Sequence, residues 1–149
     1  MKGVSVLPAT AALVNRAVDA AQHVLHTVEQ AGQSQAGALS GAALSELGIA
    51  QPRVHRGLIA SGDQFIGAAS ASQAIRDALP AVLAVEMEGA AVAQVCHDFD
   101  VPFVVIRSIS DRADDAAHVD FQRFITAVAS PFSHAVVDAL LKQDGVQTS

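Results

Sequence analysis

The sequence has one cysteine, no tryptophan and no tyrosine among its 149 residues. The lone Cys96 cannot form an internal disulfide or a thiolate metal cluster, which excludes a disulfide-stapled domain and a zinc finger built from this chain alone. Such cysteine usage is typical of a reducing compartment, so we expect a cytoplasmic protein. With so few large rings, the abundant alanine favours helices packed closely against a sheet.

Positive charge is also scarce, with nine Lys and Arg against fifteen Asp and Glu and a net charge of −6. Because no basic stripe is available to neutralise phosphates, nucleic acid is not an expected partner. No apolar run approaches the roughly 20 residues that cross a bilayer, and the first ten residues lack the regions of a signal peptide, so no membrane partner is expected. The six histidines lack metal-site spacing, and neither a metal nor a cofactor is predicted.

Hydrophobic spacing divides the chain into two kinds of segment. Apolar residues three and four apart predict a helix over residues 8–30, and the Gly-, Ala- and Ser-rich composition of residues 31–50 predicts a flexible connector. From Arg53 onward, short β-branched runs alternate with helical segments, as in βαβ units. We therefore predict a single partial domain over residues 1–149, of the α/β class, with a central mixed, largely parallel sheet flanked by helices.

The individual elements follow from apolar runs and helix breakers. Strands are predicted at 54–61, at 82–85 with both faces buried, and at 103–106 as a central strand ending near Ser110. Helices are predicted at 72–79, 88–99 and 121–142, the last interrupted or kinked near Pro131.

Ligands of open α/β sheets bind beyond the carboxyl ends of the strands, where loops and helix N-termini converge. That rule selects residues 61–67, 85–89 and 109–111. Asp111 directly follows an apolar run, where desolvation raises a carboxyl pKa and keeps a proton available for general acid catalysis. The alternative is that Asp111 caps the next turn, a common task for a Ser-Asp pair.

Two carboxylates, Glu86 and Glu88, flank Met87 at the end of the second predicted strand. Glu88 would lie at the start of the helix beginning near Gly89, where the helix dipole favours an anion and a ribose diol can donate hydrogen bonds to it. The alternative is that Glu88 caps that helix. Composition and spacing leave both interpretations open.

Two runs carry a resemblance to a known family. Residues 85–91 (VEMEGAA), followed by residues 104–111 (VVIRSISD), resemble the signature pair of the purine nucleoside phosphorylase/nucleosidase superfamily. Residues 57–66 (GLIASGDQFI) most resemble its 5'-methylthioadenosine/S-adenosylhomocysteine nucleosidase branch. The resemblance covers about residues 53–141 and corresponds to the carboxyl-terminal portion of the usual chain, so it implies a nucleoside phosphorylase-like fold of which only part is present.

The resemblance also implies roles for individual residues around a bound purine nucleoside. Phe65 would stack on the purine and the main chain of Ile66 would read its Watson–Crick edge, although Phe65 taken alone is equally typical of a core residue. Met87 would pack under the ribose and Glu88 would accept hydrogen bonds from its hydroxyls, with Glu86 in the same substrate-binding motif.

On the leaving-group side, Asp111 would donate a proton to purine N7, assisted by Ser110, and Phe121 would help to enclose the 5' substituent. The implied reaction is hydrolysis of the N-glycosidic bond of 5'-methylthioadenosine, S-adenosylhomocysteine or 5'-deoxyadenosine, releasing adenine in methionine salvage without a cofactor. The alternatives are phosphorolysis of purine nucleosides and a truncated, non-catalytic purine-binding relative. For the complete protein the resemblance implies a homodimer, whose amino-terminal half would supply the carboxylate that activates water.

Overall fold

A computed structural model describes residues 6–31, 41–109 and 121–143. The elements, in chain order, are α1 (Ala11–Ala31), α2 (Gly41–Glu46), β1 (Leu58–Ser61), α3 (Ala69–Ala78), β2 (Val82–Glu86), α4 (Gly89–Asp98), α5 (Phe121–Phe124), a π-helical turn (Ile125–Ala129) and α6 (Ser130–Lys142). The predicted helices therefore form, with ends within three residues of their predicted positions.

The hydrophobic core lies in what we call the helical body, formed by α1, α2, α5, the π-helical turn and α6. Small residues on α1, Ala20 and Ala21, allow close packing against α6, and Val136 of α6 is fully enclosed there. A second cluster joins α1 to α2 and to the start of the carboxyl-terminal helical run; its buried members are Val28, Leu44, Phe124 and Val128.

The carboxyl-terminal run is continuous from Phe121 to Lys142 but changes its winding before Pro131. Proline has no N–H, and its ring would clash with the carbonyl of Ala127 in a regular α-helix. The π-helical turn Ile125–Ala129 lies just before Pro131, which occupies the first turn of α6. The predicted interruption near Pro131 is confirmed.

By length and composition alone, Phe121–Lys142 would pass as a membrane span. In the structure, some apolar residues of this run are buried within the protein: Phe124, Val128 and Val136 pack against other parts of the helical body. The absence of a membrane partner stays a prediction.

Helix α2 lies within the stretch predicted as a flexible connector, and it ends in a well-formed cap. Gly48 has φ +69°, its N–H donates to Ser45 O at 3.0 Å, and the N–H of Ile49 donates to Leu44 O at 2.8 Å. These are the two hydrogen bonds of a Schellman motif, which places glycine at the left-handed position. Within the predicted connector, Ala31 thus ends α1, and residues 41–50 are a capped helix and its exit. The flexibility of residues 31–50 stays a prediction.

Strands β1 and β2 pair in parallel through the crossover helix α3, which confirms the α/β class and the βαβ unit. The register pairs Leu58 with Val82 and Ile59 with Ala84, so Leu83 is an extra residue on β2. This irregularity bends the pairing close to its start. Beyond it the register is regular to the ends of both strands.

Three sequence predictions differ from the structure in this region. The first strand begins at Leu58 rather than at residue 54, and β2 is not buried on both faces, since Leu83 and Val85 are 54% and 38% exposed. The predicted third strand at 103–106 does not form among the described residues. A strand forms only by pairing with another strand, and this segment bonds to Thr10 instead. The N–H of Thr10 donates to Phe103 O at 2.9 Å, and the Thr10 hydroxyl accepts from the N–H of Phe103 at 3.1 Å.

Candidate functional site

The candidate site lies where the carboxyl ends of β1 and β2 stand side by side. Ser61 is paired with Glu86 in the sheet register, and the N–H of Gly62 donates to Glu86 O at 3.1 Å. Parallel pairing brings both strand ends to one edge, so the loop after β1 and the turn into α4 leave the sheet together. Two of the three strand-end segments predicted from the sequence are therefore adjacent.

The first turn of α4 is capped by side chains from both strand ends. The Glu86 carboxylate accepts from the N–H of Glu88 at 2.9 Å and from that of Gly89 at 2.7 Å, both through Oε2. The Ser61 hydroxyl accepts from the N–H of Ala90 at 3.0 Å. Because these amide groups have no partner within the helix, the cap stabilises the start of α4.

Gly89 makes this cap sterically possible. A Cβ atom placed on Gly89 would lie 2.7 Å from Glu86 Oε1, closer than real Cβ contacts allow. The glycine in the VEMEGAA run thus leaves room for the Glu86 carboxylate, which an added Cβ would displace from its position.

Burial and hydrogen bonding act in opposite directions on Glu86, whose side chain is only 5% exposed. Burial alone would raise the pKa of Glu86, but the neighbouring Ser61 hydroxyl, the amides of Glu88 and Gly89 and the charge of Arg107 together hold its pKa below the usual value. Oε1 itself is buried and has no donor in hydrogen-bond geometry among the described residues. The carboxylate is therefore ionised at neutral pH.

Glu88 stands at the N-cap position of α4, but its side chain makes no capping hydrogen bond. The Glu88 carboxylate instead points outward, with its side chain 69% exposed, and pairs with Arg107 at 3.4 Å. Of the two interpretations left open by the sequence, helix capping by Glu88 is not what the structure has. Glu86 performs that task, which leaves Glu88 at the surface of what we call the strand-end cluster, formed by Ser61, Glu86, Met87, Glu88 and Arg107.

Apolar side chains in and beside this cluster are exposed. Met87, between the two glutamates, is 45% exposed. Phe65, in the loop after β1, is 86% exposed, and its ring lies over Gly67, where an added Cβ would come within 2.7 Å of ring carbon Cε1. Ile66 is half-buried. Phe65 is thus not a core residue, and its ring has a face available for stacking.

The remaining predicted site residues are placed elsewhere or not described. Ser110 and Asp111 lie outside the described residues. Phe121 begins α5 and is 57% exposed, on a short helix that belongs to the helical body. The structure thus groups Glu86, Met87 and Glu88 at the strand ends, with the loop of Phe65 and Ile66 leaving from the same edge.

Arg107 is a site residue to which sequence reasoning assigned no role. It lies inside the VVIRSISD run, but nothing in its spacing links it to the glutamate that it meets in the fold. Its position four residues before Asp111, after an apolar run, is a usable signal, since a basic residue near acidic motifs is suited to pair with a carboxylate.

Two clefts among the described residues lie away from this cluster. A groove of about 690 Å³ runs between α1 and α6, and one of about 240 Å³ lies between Thr10 and the end of α4. Among residues 6–31, 41–109 and 121–143, no three His, Cys, Asp or Glu side chains converge as metal ligands would. The strand-end cluster is an open surface in this part of the fold.

Comparison with known proteins gives two findings. The family model described as the phosphorylase superfamily matches residues 4–142. The chain is also similar to a solved structure, the 5'-methylthioadenosine/S-adenosylhomocysteine nucleosidase from Neisseria meningitidis in complex with methylthio-immucillin-A, with 32% identity and a TM-score of 0.67. The match covers 95% of this chain and 52% of the other, so the chain spans about half the length of that relative.

Proposed function

This chain belongs to the phosphorylase superfamily, and from that premise we propose that it binds a 5'-substituted adenine nucleoside and takes part in hydrolysis of its N-glycosidic bond. The observation that carries the proposal is the Glu88 carboxylate, which is released from capping α4, exposed at the strand ends and paired with Arg107. Similarity to a nucleosidase that acts on methylthioadenosine and S-adenosylhomocysteine supports the choice of substrate class.

The proposed binding mode follows from the chemistry of the exposed groups. A carboxylate such as Glu88 accepts hydrogen bonds from a ribose diol, and the Arg107 guanidinium that pairs with it helps to orient it. The exposed Met87 offers an apolar surface under the sugar, and the exposed ring of Phe65 offers a stacking surface for the purine. Ile66 and Phe121 are proposed to border the base and the 5' substituent.

In the proposed reaction the C1'–N9 bond breaks and its electron pair passes to the purine. Asp111, as a carboxylic acid, donates its proton to N7, assisted by Ser110, and this makes adenine a better leaving group. The sugar becomes oxocarbenium-like, and a nearby carboxylate such as Glu88 stabilises the positive charge that develops on it. Water then adds to C1' and loses a proton, and a proton taken up by the Asp111 carboxylate restores the acid and balances the hydrolysis.

Two measurements, adenine release and calorimetric binding, decide between the proposal and its alternatives. Adenine release from 5'-methylthioadenosine in the absence of phosphate supports hydrolysis. Release that depends on phosphate would replace the proposal with phosphorolysis. Calorimetric binding of the nucleoside without any release would indicate a non-catalytic purine-binding relative.

Two variants test the assigned roles. Asp111→Asn should lower adenine release by about a hundredfold or more, because an amide cannot supply the proton, whereas Glu88→Gln should lower turnover by roughly tenfold through weaker ribose orientation. Glu29→Gln, an exposed change on α1, serves as the control and should leave release unchanged. Full activity of the Asn variant would reject Asp111 as the acid.

The homodimer of the complete protein, its cytoplasmic location and its part in methionine salvage remain predictions.

A further inference from the structure

We propose that Glu86 is a positioning residue for ribose recognition, holding the backbone that carries Glu88 and so setting where the Glu88 carboxylate stands. This inference rests on the proposed function, because it concerns the ribose side of that site. The sequence motif predicts Glu86 as a substrate contact, and the structure assigns it a different task.

The Glu86 side chain faces the protein rather than open solvent. It is 5% exposed, whereas the side chain of Glu88, two residues later, is 69% exposed. Its Oε2 is occupied by two backbone N–H groups, those of Glu88 and Gly89. An enclosed carboxylate engaged in this way acts on a ligand through its neighbours.

Glu86 contacts the backbone at Glu88 itself and at the next residue, Gly89, and these contacts orient Glu88. One oxygen accepts from the amide of Glu88 itself and from the next amide, which fixes Glu88 at the N-cap with φ −120° and ψ −27°. Gly89 leaves room for the carboxylate, since a Cβ there would crowd Oε1 at 2.7 Å. The side-chain direction of Glu88 is therefore set by its predecessor.

The cap also keeps Glu88 from a competing task. An acidic side chain at a helix N-terminus tends to bond the unpaired amides of the first turn. With Glu86 on two of those amides and Ser61 on that of Ala90, the Glu88 carboxylate is left to pair with Arg107 at the surface. In this proposal Glu86 stabilises the start of α4, and Glu88 faces the ligand.

The test compares adenine with 5'-methylthioadenosine as ligands of the wild-type chain and of Glu86→Gln, by calorimetry. The glutamine keeps the shape of the side chain, and Oε1 has no donor to lose, but the charge-assisted bonds to the two amides are weakened. We expect nucleoside affinity to fall about tenfold while adenine affinity stays within about twofold, because only the nucleoside contacts Glu88. Hydrogen exchange at the Glu88 and Gly89 amides should accelerate in the same variant.

Matched variants make the result decisive. Glu88→Gln should reproduce the selective loss of nucleoside affinity, and Glu29→Gln should change neither affinity. If Glu86→Gln does not fold, Gly89→Ala applies the same disturbance with Glu86 intact, because its Cβ pushes on the carboxylate.

Each remaining outcome decides against one idea or the other. A parallel loss of adenine and nucleoside affinity, or unchanged exchange at the two amides, would overturn the positioning role and leave the proposed function standing. A wild-type chain that binds neither ligand would overturn the proposed function, and the ribose role of Glu86 would fall with it.

Discussion

The helical body and the sheet region, by which we mean β1, α3, β2, α4 and residues 101–109, are held together in different ways. Within residues 6–31, 41–109 and 121–143, ten apolar residues are buried; nine of them lie in the helical body and Ala93 lies in the sheet region. The sheet region instead exposes apolar side chains on β2 and α4, among them Leu83, Val92, Val95 and Phe99. Its strand ends are ordered by polar contacts to the backbone. Most of the buried apolar packing therefore lies in one part of the described chain, and most of the proposed ligand-binding residues lie in the other.

The largest expected effect is on the core of the helical body. Val136→Ala removes two methyl groups from a fully enclosed side chain and should lower the free energy of unfolding by about 2–3 kcal/mol. Val137→Ala, on the adjacent residue that is 46% exposed, should cost less than about 0.5 kcal/mol. Urea unfolding of both variants measures the difference, and equal losses would contradict the placement of the core.

A backbone effect of intermediate size is expected at the cap of α2. Gly48→Ala places a Cβ in open space but at φ +69°, so it should cost about 1 kcal/mol through conformational strain alone. Gly62→Ala, also in open space but without a positive φ, is the control and should change stability by less than about 0.5 kcal/mol. A neutral Gly48→Ala would show that the Schellman cap is not maintained in solution.

A smaller effect is expected in acid, and it should involve the sheet region. The pKa of Glu86 is held below its usual value of about 4.5, so its contribution to stability is complete above that pH and is lost as the pH falls below it. The melting temperatures of wild type and Glu86→Gln should therefore converge as the pH is lowered from 7 to 3. A constant difference across this range would contradict an ionised Glu86 cap.

The smallest expected change is a gain at the end of α4. Asp100 adopts φ +53° at the left-handed position of a second Schellman motif, in which the N–H of Val101 donates to Cys96 O at 2.8 Å. Asp100→Gly should relieve this strain and raise stability by about 0.5 kcal/mol. Asp98→Gly, inside the helix, should act in the opposite direction. Thermal melts of the two variants test the sign.

Much of the fold could be predicted from the sequence because its signals are local. The three- and four-residue spacing in α1, the apolar runs of the two strands and Pro131 each act within a few residues of where they occur. The missing third strand shows the limit, because the apolar run at 103–106 reports burial and propensity, while a strand also needs a neighbour with which to pair.

At the site, the strand-end rule predicted the segments but not the division of labour within them. Two glutamates separated by one residue look equivalent in sequence. The structure shows the difference: the Glu86 side chain turns back to bond the backbone amide of Gly89, and the Glu88 side chain points to the surface. The pairing of Glu88 with Arg107 could likewise not be predicted from the sequence, because the two residues lie in separate segments and their contact depends on the tertiary fold.

The π-helical turn also bears on how one long helical run contributes to both core clusters, the first with α1 and the second with α1 and α2. The larger apolar residues that this run contributes to the two core clusters include one at every fourth position, at Phe124, Val128, Phe132, Val136 and Leu140. In a regular α-helix of 3.6 residues per turn, each such step overshoots by about 40°, so the stripe would wind away from its partner. The wider turn at Ile125–Ala129 takes back part of that rotation. The local irregularity thus acts as a phase correction that keeps these five side chains nearer to one side of the run.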